Sequence, residues 1–319
     1  MRVLSSTTVS GDGPKAGALL LGDWGGTHLR VWVLDEAGAV LRREEFDCGV
    51  NKMQPGEAPK RFNGEVRGRL NAHDLPALLC GAIGSNVGWI TAPYVDCPAG
   101  AEAAANALAR VPDQDPPVWI VPGVRSPGIT PAPDVLRGEE TQAFGWVALD
   151  PDRAKGRRLI CHPGTHAKWM RLEDGKITRF VSAFTGEMFD LFNRHSILKT
   201  PAPYKDDPAA FDEGVAAAGD GGGLLSRLYA ARGRVAGAGA DPATTPSFLS
   251  GALIAAECAT VPAFIGAWPD ETIEVLGDPG LTAKYADVLG RLGWKTRTHD
   301  GEAAALAGLR LLNGLRAGG

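Results

Sequence analysis

The stretch GDWGGTHLR, residues 22–30, decides the fold of this chain because it places a glycine-bearing turn between two β-favouring segments. Residues 18–21 before the turn and 29–34 after it are apolar, and this pattern predicts a β-hairpin. The alternating stretch 39–46 adds a third strand. Buried strands and helices then alternate along the chain, as in an α/β layer. The sequence therefore predicts an α/β domain that opens with three antiparallel strands.

The same plan recurs after a charged linker at residues 150–158. HPGTH, residues 162–166, lies between two β-favouring stretches as GDWGGT does, and strands and helices follow it again. Two hairpins that each open an α/β domain are typical of actin-like kinases, in which two lobes hold a nucleotide. We therefore expect a two-lobed actin-like (ribonuclease H-like) ATPase fold, with duplicated domains and an interlobe cleft.

The domain boundaries follow from the linker and the patterns around it. We predict a flexible leader at residues 1–17, an N-terminal lobe at 18–150 and a C-terminal lobe at 151–300. A last helix at 301–319 is expected to pack back on the first lobe.

Composition narrows the function class. The 319 residues carry a formal net charge of -4, so nothing attracts the whole chain to nucleic acid or to an anionic membrane. The five cysteines are scattered and odd in number, which suits buried thiols in a reducing compartment. The first residues lack the apolar core of a signal peptide, and no later run offers roughly 18 uninterrupted apolar residues. We expect a cytoplasmic protein with no nucleic-acid or membrane partner.

The two glycine turns are candidate phosphate loops. Gly25, Gly26 and Thr27 in the first turn, and Gly164 and Thr165 in the second, let backbone N–H groups approach phosphate oxygens closely. The chain has neither a G-x-x-x-x-G-K-[ST] loop nor a G-x-G-x-x-G fingerprint, so a P-loop or a dinucleotide site is disfavoured.

Asp23 is the candidate metal residue. It lies at the end of an apolar strand, where a carboxylate is costly unless a cation meets it, and Mg²⁺ at phosphate sites takes carboxylate and water oxygens. The alternative is an Asp that caps the turn through the N–H of Gly25 or Gly26.

GSNVGW, residues 84–89, is the candidate polyol site. Ser85 and Asn86 offer neutral donors and acceptors, and Trp89 offers an aromatic face. The alternative is a turn whose Trp packs in the core.

RGEETQ, residues 137–142, concentrates charge at a helix start. Arg137 could pair with a substrate carboxylate, Glu139 could contact the substrate, and Glu140 could accept the proton of the attacking hydroxyl. Ordinary helix capping explains the two glutamates equally well. His162 and His166 do not make a zinc pair, because Pro163-Gly164 between them forbids a helix.

Together these motifs resemble the 2-dehydro-3-deoxygalactonokinase family, in the family's order and over about residues 19–312. The resemblance implies ATP, Mg²⁺ and transfer to the 6-hydroxyl of 2-dehydro-3-deoxy-D-galactonate in galactonate catabolism. It also implies that the turn bearing Gly277 and Gly280 contacts adenosine, although a simple βα turn would look the same. The strings that carry it are DWGGTHLR, GAIGSNVGW with APY, RGEETQ, PGTHAKW, TGE, FLSG and LTAKY.

Two positions depart from the family pattern. His28 follows GGT where members typically have DWGSTN, and the chain reads DGEAA at 300–304 where a GDTA-like string is expected. The first bears on a contact near the phosphates and the second on the nucleotide-side role of Asp300. Open alternatives are a kinase for another sugar or sugar acid and a nucleotide-dependent sensor without transfer. A homodimer is a further expectation.

Overall fold

The computed structural model describes residues 17–199, 204–219 and 223–318. Gly17 apart, the leader expected at 1–17 lies outside the described residues. The chain divides into two compact units. Unit 1 comprises Met1–Gly156, Leu172–Arg179 and Gly301–Gly319, and unit 2 comprises Arg157–Arg171 and Phe180–Asp300.

The strands, in chain order, are β1 (Leu19–Trp24), β2 (Leu29–Leu34), β3 (Val40–Phe46), β4 (Ala77–Cys80), β5 (Tyr94–Asp96), β6 (Ala109–Arg110), β7 (Val118–Ile120), β8 (Gly123–Ser126), β9 (Asp134–Leu136), β10 (Arg157–His162), β11 (Ala167–Glu173), β12 (Lys176–Ala183), β13 (Thr272–Gly277) and β14 (Lys295–Asp300).

The α-helices are α1 (Ala58–Lys60), α2 (Arg67–Leu70), α3 (Ala101–Asn106), α4 (Glu139–Ala148), α5 (Thr185–His195), α6 (Pro208–Gly219), α7 (Gly223–Ala236), α8 (Thr245–Phe264), α9 (Pro279–Arg291) and α10 (Gly301–Ala317). A π-helical stretch, Arg61–Val66, joins α1 to α2. Short 3-10 turns lie at Val50–Lys52, Ala82–Gly84, Pro151–Ala154 and Pro242–Thr244.

The main sheets of the two units share the order of their first five strands, and β6 adds a sixth strand to the sheet of unit 1. In unit 1 the order is β3-β2-β1-β4-β7-β6, with β1, β2 and β3 antiparallel and with β4 parallel to both β1 and β7. The unit 2 order is β12-β11-β10-β13-β14, with β13 parallel to both β10 and β14. Each sheet therefore places the three hairpin strands in reverse order and continues from the first of them. This repeated order confirms the predicted actin-like fold.

The parallel strands bring the motifs to one edge of each sheet. Asp23, next to the last residue of β1, is the register partner of Cys80 at the end of β4. In unit 2, Gly277 at the end of β13 is the register partner of Asp300 at the end of β14. Residues that are distant in sequence thus meet at the carboxyl ends of parallel strands, where open α/β sheets bind ligands.

Unit 1 holds its main helix, α4, by close packing on α10. A Cβ at Gly145 would lie 1.8 Å from the carbonyl oxygen of Ala304, and one at Gly308 would lie 1.9 Å from that of Thr141. Only glycine permits backbones this close. The contact fixes α4, whose first turn carries Glu139 and Glu140.

In the described part of the chain, one helical stretch, Pro242–Phe264, has the length and apolar composition that a membrane crossing needs. Most of it is buried inside unit 2, where α8 packs on α6. A Cβ at Gly251 would lie 2.1 Å from the carbonyl oxygen of Phe211, so the two helices touch through their backbones. Burial of this kind is typical of a core helix, which passes the same test of length and composition.

Candidate active site

Asp23 carries a carboxyl group with few neighbours. The thiol of Cys80 lies 3.7 Å from its Oδ1. Burial raises the pKa of Asp23 to about 6, and the charge of Arg30, its partner across the hairpin, partly offsets that rise. The N–H of Gly25 donates to the carbonyl of His28 at 3.0 Å, so this N–H does not receive the cap that the alternative interpretation gave to Asp23.

The first glycine turn is held from one side. The carbonyl oxygens of Gly25, Gly26 and Thr27 accept from the N–H groups of residues 50, 51 and 49, respectively. Among the described residues, none provides an acceptor for the N–H of Gly26 or of Thr27. Thr27 is exposed, and two backbone donors beside it suit an anion. His28 faces Asp47, with 3.4 Å between Nε2 and Oδ1.

The guanidinium of Arg137 has N–H donors that are not used in hydrogen bonds within the described residues. It stacks on the ring of Tyr94, with Cζ 4.3 Å from the ring centroid, and its Nη2 donates to the carbonyl of Ala92 at 2.8 Å. Its Nε and Nη1 are buried and have no hydrogen-bond partner within residues 17–199, 204–219 and 223–318. Since a buried donor without a partner costs free energy, the arrangement is suited to an anionic ligand.

The GSNVGW loop lies beside this arginine. A Cβ at Gly84 would come within 3.1 Å of Arg137 Nη1. The hydroxyl oxygen of Ser85 is buried and, among the described residues, unpartnered, whereas Asn86 is exposed. The half-buried ring of Trp89 packs on Phe62, with 5.4 Å between centroids. The structure therefore places Gly84, at the start of this loop, against Arg137. It also gives Trp89 the core contact that the packing alternative describes.

Glu140 is fully buried and folds back on its own helix start. Its Oε2 accepts from the N–H of Gly138 at 2.6 Å, and its Oε1 accepts from the hydroxyl of Thr141 at 2.8 Å. Burial, followed by the charge of Glu139, raises the pKa of Glu140 to about 7. Glu139 is half-buried, and its Oε2 accepts from the N–H of Arg137 at 3.1 Å. The two glutamates thus have different access to a ligand.

Two glycines let α4 start next to β4. Gly138 has a φ of +113°, and a Cβ there would lie 3.1 Å from the Cα of Gly81. A Cβ at Gly81 would in turn lie 3.2 Å from Asp23 Oδ1. This close approach places the RGEETQ segment at the end of the sheet that holds Asp23. The predicted substrate-binding and catalytic residues Arg137, Glu139 and Glu140 therefore begin a helix at that end of the sheet in unit 1.

In unit 2 the second glycine turn packs on the start of α5. A Cβ at Gly186 would lie 2.3 Å from the carbonyl oxygen of Gly164, and the N–H of Glu187 donates to the carbonyl of Thr165 at 2.8 Å. His166 Nε2 lies 2.5 Å from Glu187 Oε2. Thr165 itself is exposed. The candidate phosphate loop is therefore held by the first turn of a helix.

The turn after β13 lies beside that loop. A Cβ at Gly277 would be 3.5 Å from the carbonyl oxygen of Pro163. Asp278 caps α9, accepting from the N–H groups of Gly280 at 2.9 Å and Leu281 at 3.1 Å. The N–H of Gly280 is thus used in the helix cap. Gly277 and its register partner Asp300 are the last residues of the parallel strands β13 and β14.

Metal ligands are few. Within the part of the chain that the structure describes, no three His, Cys, Asp or Glu side chains group to hold a metal ion. An ion at Asp23 would therefore take its other oxygens from water and phosphate, as Mg²⁺ does at nucleotide sites. Burial raises the pKa of Asp23 more than the charge of Arg30 lowers it, so this arginine compensates the carboxylate only in part.

Sequence reasoning missed three residues of these sites. Tyr94 stacks on Arg137, Cys80 contacts Asp23, and Glu257 accepts hydrogen bonds beneath the start of α5. Two of them leave a signal in the sequence: Tyr94 ends the APY string, and Glu257 is the one acidic residue in the apolar stretch 245–264.

Known proteins resemble this chain along most of its length. The 2-keto-3-deoxy-galactonokinase family model matches residues 23–312. A probable 2-dehydro-3-deoxygalactonokinase of Rhizobium meliloti is 32% identical over 90% of this chain and 94% of its own length. The 2-dehydro-3-deoxygalactonokinase of Escherichia coli is 31% identical over the same shares. A crystal structure from Sinorhizobium meliloti, described as a 2-dehydro-3-deoxygalactonokinase protein, has a TM-score of 0.79 and 32% identity, covering 92% of this chain and 97% of that one. The chain therefore belongs to the 2-keto-3-deoxy-galactonokinase family.

Proposed function

We propose that the chain transfers the γ-phosphoryl group of ATP to the 6-hydroxyl of 2-dehydro-3-deoxy-D-galactonate. Membership of the family supports the reaction class, a phosphotransferase with an alcohol acceptor. The observation that carries the acid specificity is Arg137, whose buried Nε and Nη1 are unpartnered among the described residues and whose Nη1 lies against Gly84 of the GSNVGW loop. The scattered free cysteines support a cytoplasmic location.

The acceptor would be held by unit 1. The guanidinium of Arg137 is a donor for the substrate carboxylate, and the hydroxyl of Ser85, with the exposed amide of Asn86, serves the polyol. Trp89 supports the loop through its contact with Phe62. An acid that fills this site would satisfy donors that otherwise stay buried without partners.

The nucleotide would be held by the glycine turns. In unit 1 the N–H groups of Gly26 and Thr27 are donors for phosphate oxygens. In unit 2 the exposed Thr165 beside Gly164 is a donor of the same kind, and the family resemblance assigns adenosine contact to the turn that carries Gly277. Mg²⁺, when bound, neutralises charge on the phosphates, and Asp23 is the residue that would hold it. Catalysis then rests on positioning and on charge stabilisation.

The proton of the attacking hydroxyl needs an acceptor. With a pKa of about 7 Glu140 has a suitable basicity, but both its oxygens already accept hydrogen bonds, so it must turn away from Gly138 and Thr141 to act. Glu139 is half-buried rather than fully buried, and its Oε2 accepts from the N–H of Arg137. We keep Glu140 as the proposed base, and Glu139 as the alternative that the same experiment tests.

A substrate panel tests the proposal. ADP release is measured with 2-dehydro-3-deoxy-D-galactonate, with its C4 epimer, with other sugar acids and with neutral sugars of the same length. The proposal expects efficient turnover of the first substrate and poor turnover of neutral sugars. Efficient turnover of a neutral sugar would identify a different kinase.

A matched pair of arginine variants locates the acid preference. Arg137→Ala should abolish the preference for acids. Arg125→Ala is the control, because Arg125 is an exposed arginine of β8 that pairs with Asp96, and this variant should keep the preference. The same loss in both variants would show that the effect is one of net charge.

A further inference from the structure

Glu257 is a buried carboxylate in the middle of α8, and the function proposed above gives it no role. It is 6% exposed, and the residues around it in the helix are mainly apolar. Its Oε1 accepts from the indole N–H of Trp169 at 2.7 Å. Its Oε2 accepts from the hydroxyl of Tyr285 at 2.8 Å and from the hydroxyl of Thr185. Three donors from three elements therefore converge on one side chain.

Such a carboxylate is costly to keep. Burial raises the pKa of Glu257, and its three hydrogen bonds oppose that rise. An apolar residue of similar size would avoid the desolvation of the charge, since buried charged groups are weak contributors to stability. The observations thus ask what the carboxylate does that an apolar side chain could not do.

The partner that distinguishes this cluster is Thr185, the first residue of α5. Its hydroxyl donates to Glu257. The N-cap residue of α5 is Phe184, and no side chain caps the helix. The next two residues hold the second glycine turn: Gly186 packs against the carbonyl of Gly164, and Glu187 donates its N–H to Thr165. Glu257 is therefore linked through Thr185 to the first turn of α5, and this turn contacts Gly164 and Thr165 of the second glycine turn.

We propose that Glu257 is a positioning residue for the second phosphate loop, acting through Thr185 to keep the start of α5 against Gly164 and Thr165. The inference rests on the proposed nucleotide role of that loop. Trp169 and Tyr285 hold the carboxylate in place from the core, and Thr185 transmits its position to the surface turn. The route lies wholly within unit 2.

Two substitutions that each delete one hydroxyl test the route. Thr185→Val and Tyr285→Phe both remove one hydrogen bond to Oε2, but only the first breaks the link to α5. We expect similar decreases of a few degrees in Tm, about what one lost hydrogen bond causes. Binding of a non-hydrolysable ATP analogue with Mg²⁺, measured by calorimetry, should weaken about 10-fold in Thr185→Val alone, as expected when one charge-assisted contact is misplaced. Equal weakening in both variants, or none in either, would overturn the proposal.

Variants of Glu257 add an independent check. Glu257→Gln can still accept from Trp169 and can donate to the two hydroxyls, so it should bind the analogue nearly as the native chain does. Glu257→Leu fills the space but breaks the link, and its analogue affinity should fall with that of Thr185→Val. Should Glu257→Leu not fold, the Thr185 and Tyr285 pair decides.

Calorimetry also separates this inference from the proposed function. A native chain that binds the analogue, shows the Thr185 and Tyr285 difference and yet transfers nothing to the sugar acid would refute the function and support the positioning role. A native chain that does not bind the analogue would overturn the positioning role.

Discussion

The guanidinium of Arg137 lies over the ring of Tyr94, with Cζ 4.3 Å from the ring centroid. Stacking holds one face of the group, and the carbonyl of Ala92 holds Nη2, so Nε and Nη1 keep a fixed direction. Gly123 makes room for the tyrosine, because a Cβ there would lie 2.6 Å from the ring. The acid-binding group of the proposed site is thus oriented before any ligand arrives, which lowers the cost of binding.

Removing either member of this pair should affect the acid substrate alone. We expect Arg137→Ala to raise the KM for the sugar acid about 10- to 100-fold, the worth of a charge-assisted contact, with the KM for ATP unchanged. Tyr94→Leu keeps the charge and loses the stacking, so a smaller rise is expected. Steady-state kinetics with each substrate varied in turn measure both effects. Equal rises in the two KM values would show that the pair serves folding.

Asp23→Asn should abolish most turnover and leave the fold intact. The amide is isosteric with the carboxyl group but cannot provide the negative charge that a divalent cation needs. The far-ultraviolet circular dichroism spectrum should remain that of the native chain, and the Tm at neutral pH should not fall, because the amide avoids the desolvation cost that raises the pKa of Asp23 to about 6. Near-normal turnover at saturating Mg²⁺ would contradict the assignment.

Glu140→Gln should change the pH dependence of stability. The folded-state pKa of Glu140 is about 7, above its ordinary value of 4.5, so the folded chain binds this proton more tightly than the unfolded chain does. The tighter binding of this proton by the folded chain contributes its full stabilisation below pH 4.5, and that contribution is lost as the pH rises toward 7. A glutamine at this position cannot ionise, so the free energy of unfolding of Glu140→Gln should increase relative to that of the native chain by on the order of 3 kcal/mol across that interval.

Urea unfolding at a series of pH values from 5 to 8 measures this difference, and Glu139→Gln is the matched control. A constant difference between Glu140→Gln and the native chain at all pH values would contradict the buried, proton-binding state. Turnover in the same two variants identifies the base. The one that performs this step should lose about 10² to 10⁴-fold in kcat.

Gly277→Val should weaken nucleotide binding selectively. The glycine has a φ of +153° and is the last residue of β13. A Cβ at this position would lie 3.5 Å from the carbonyl oxygen of Pro163. A branched side chain would strain the backbone and occupy the space above the turn. The KM for ATP should rise much more than that for the sugar acid. Gly290→Ala, at a helical glycine with open space around it, is the control and should change neither constant. Equal effects of Gly277→Val on both substrates would mean that the turn is structural only.

The sequence was sufficient for the fold because the fold depends on local patterns. The GDWGGT and HPGTH turns, each between apolar strands, predicted the two hairpins that open the main sheets, and the observed strand orders confirm them. A resemblance spread over eight short strings then predicted the family, which the comparison with known proteins confirms. Both signals lie in consecutive residues.

The details of the sites depend on contacts between distant segments, which a sequence pattern does not show. The start of α4, which carries Glu140, lies against the end of β4 because Gly138 and Gly81 meet backbone to backbone. Tyr94 reaches Arg137 because β5 and β9 both pair with β8, and Arg137 directly follows β9 although it is 43 residues from Tyr94 along the chain. Glu257 meets Thr185 across 72 residues of sequence. Each is a matter of tertiary packing, and each decides what its side chain can do.

The most direct measurement is the identification of the product that the native chain makes from MgATP and 2-dehydro-3-deoxy-D-galactonate, by phosphorus NMR coupled to ADP release. We predict one product, phosphorylated at the 6-hydroxyl, formed in equal amount with ADP and abolished in Asp23→Asn. A phosphate at another position, or ADP release that does not depend on the sugar acid, would contradict the proposed function.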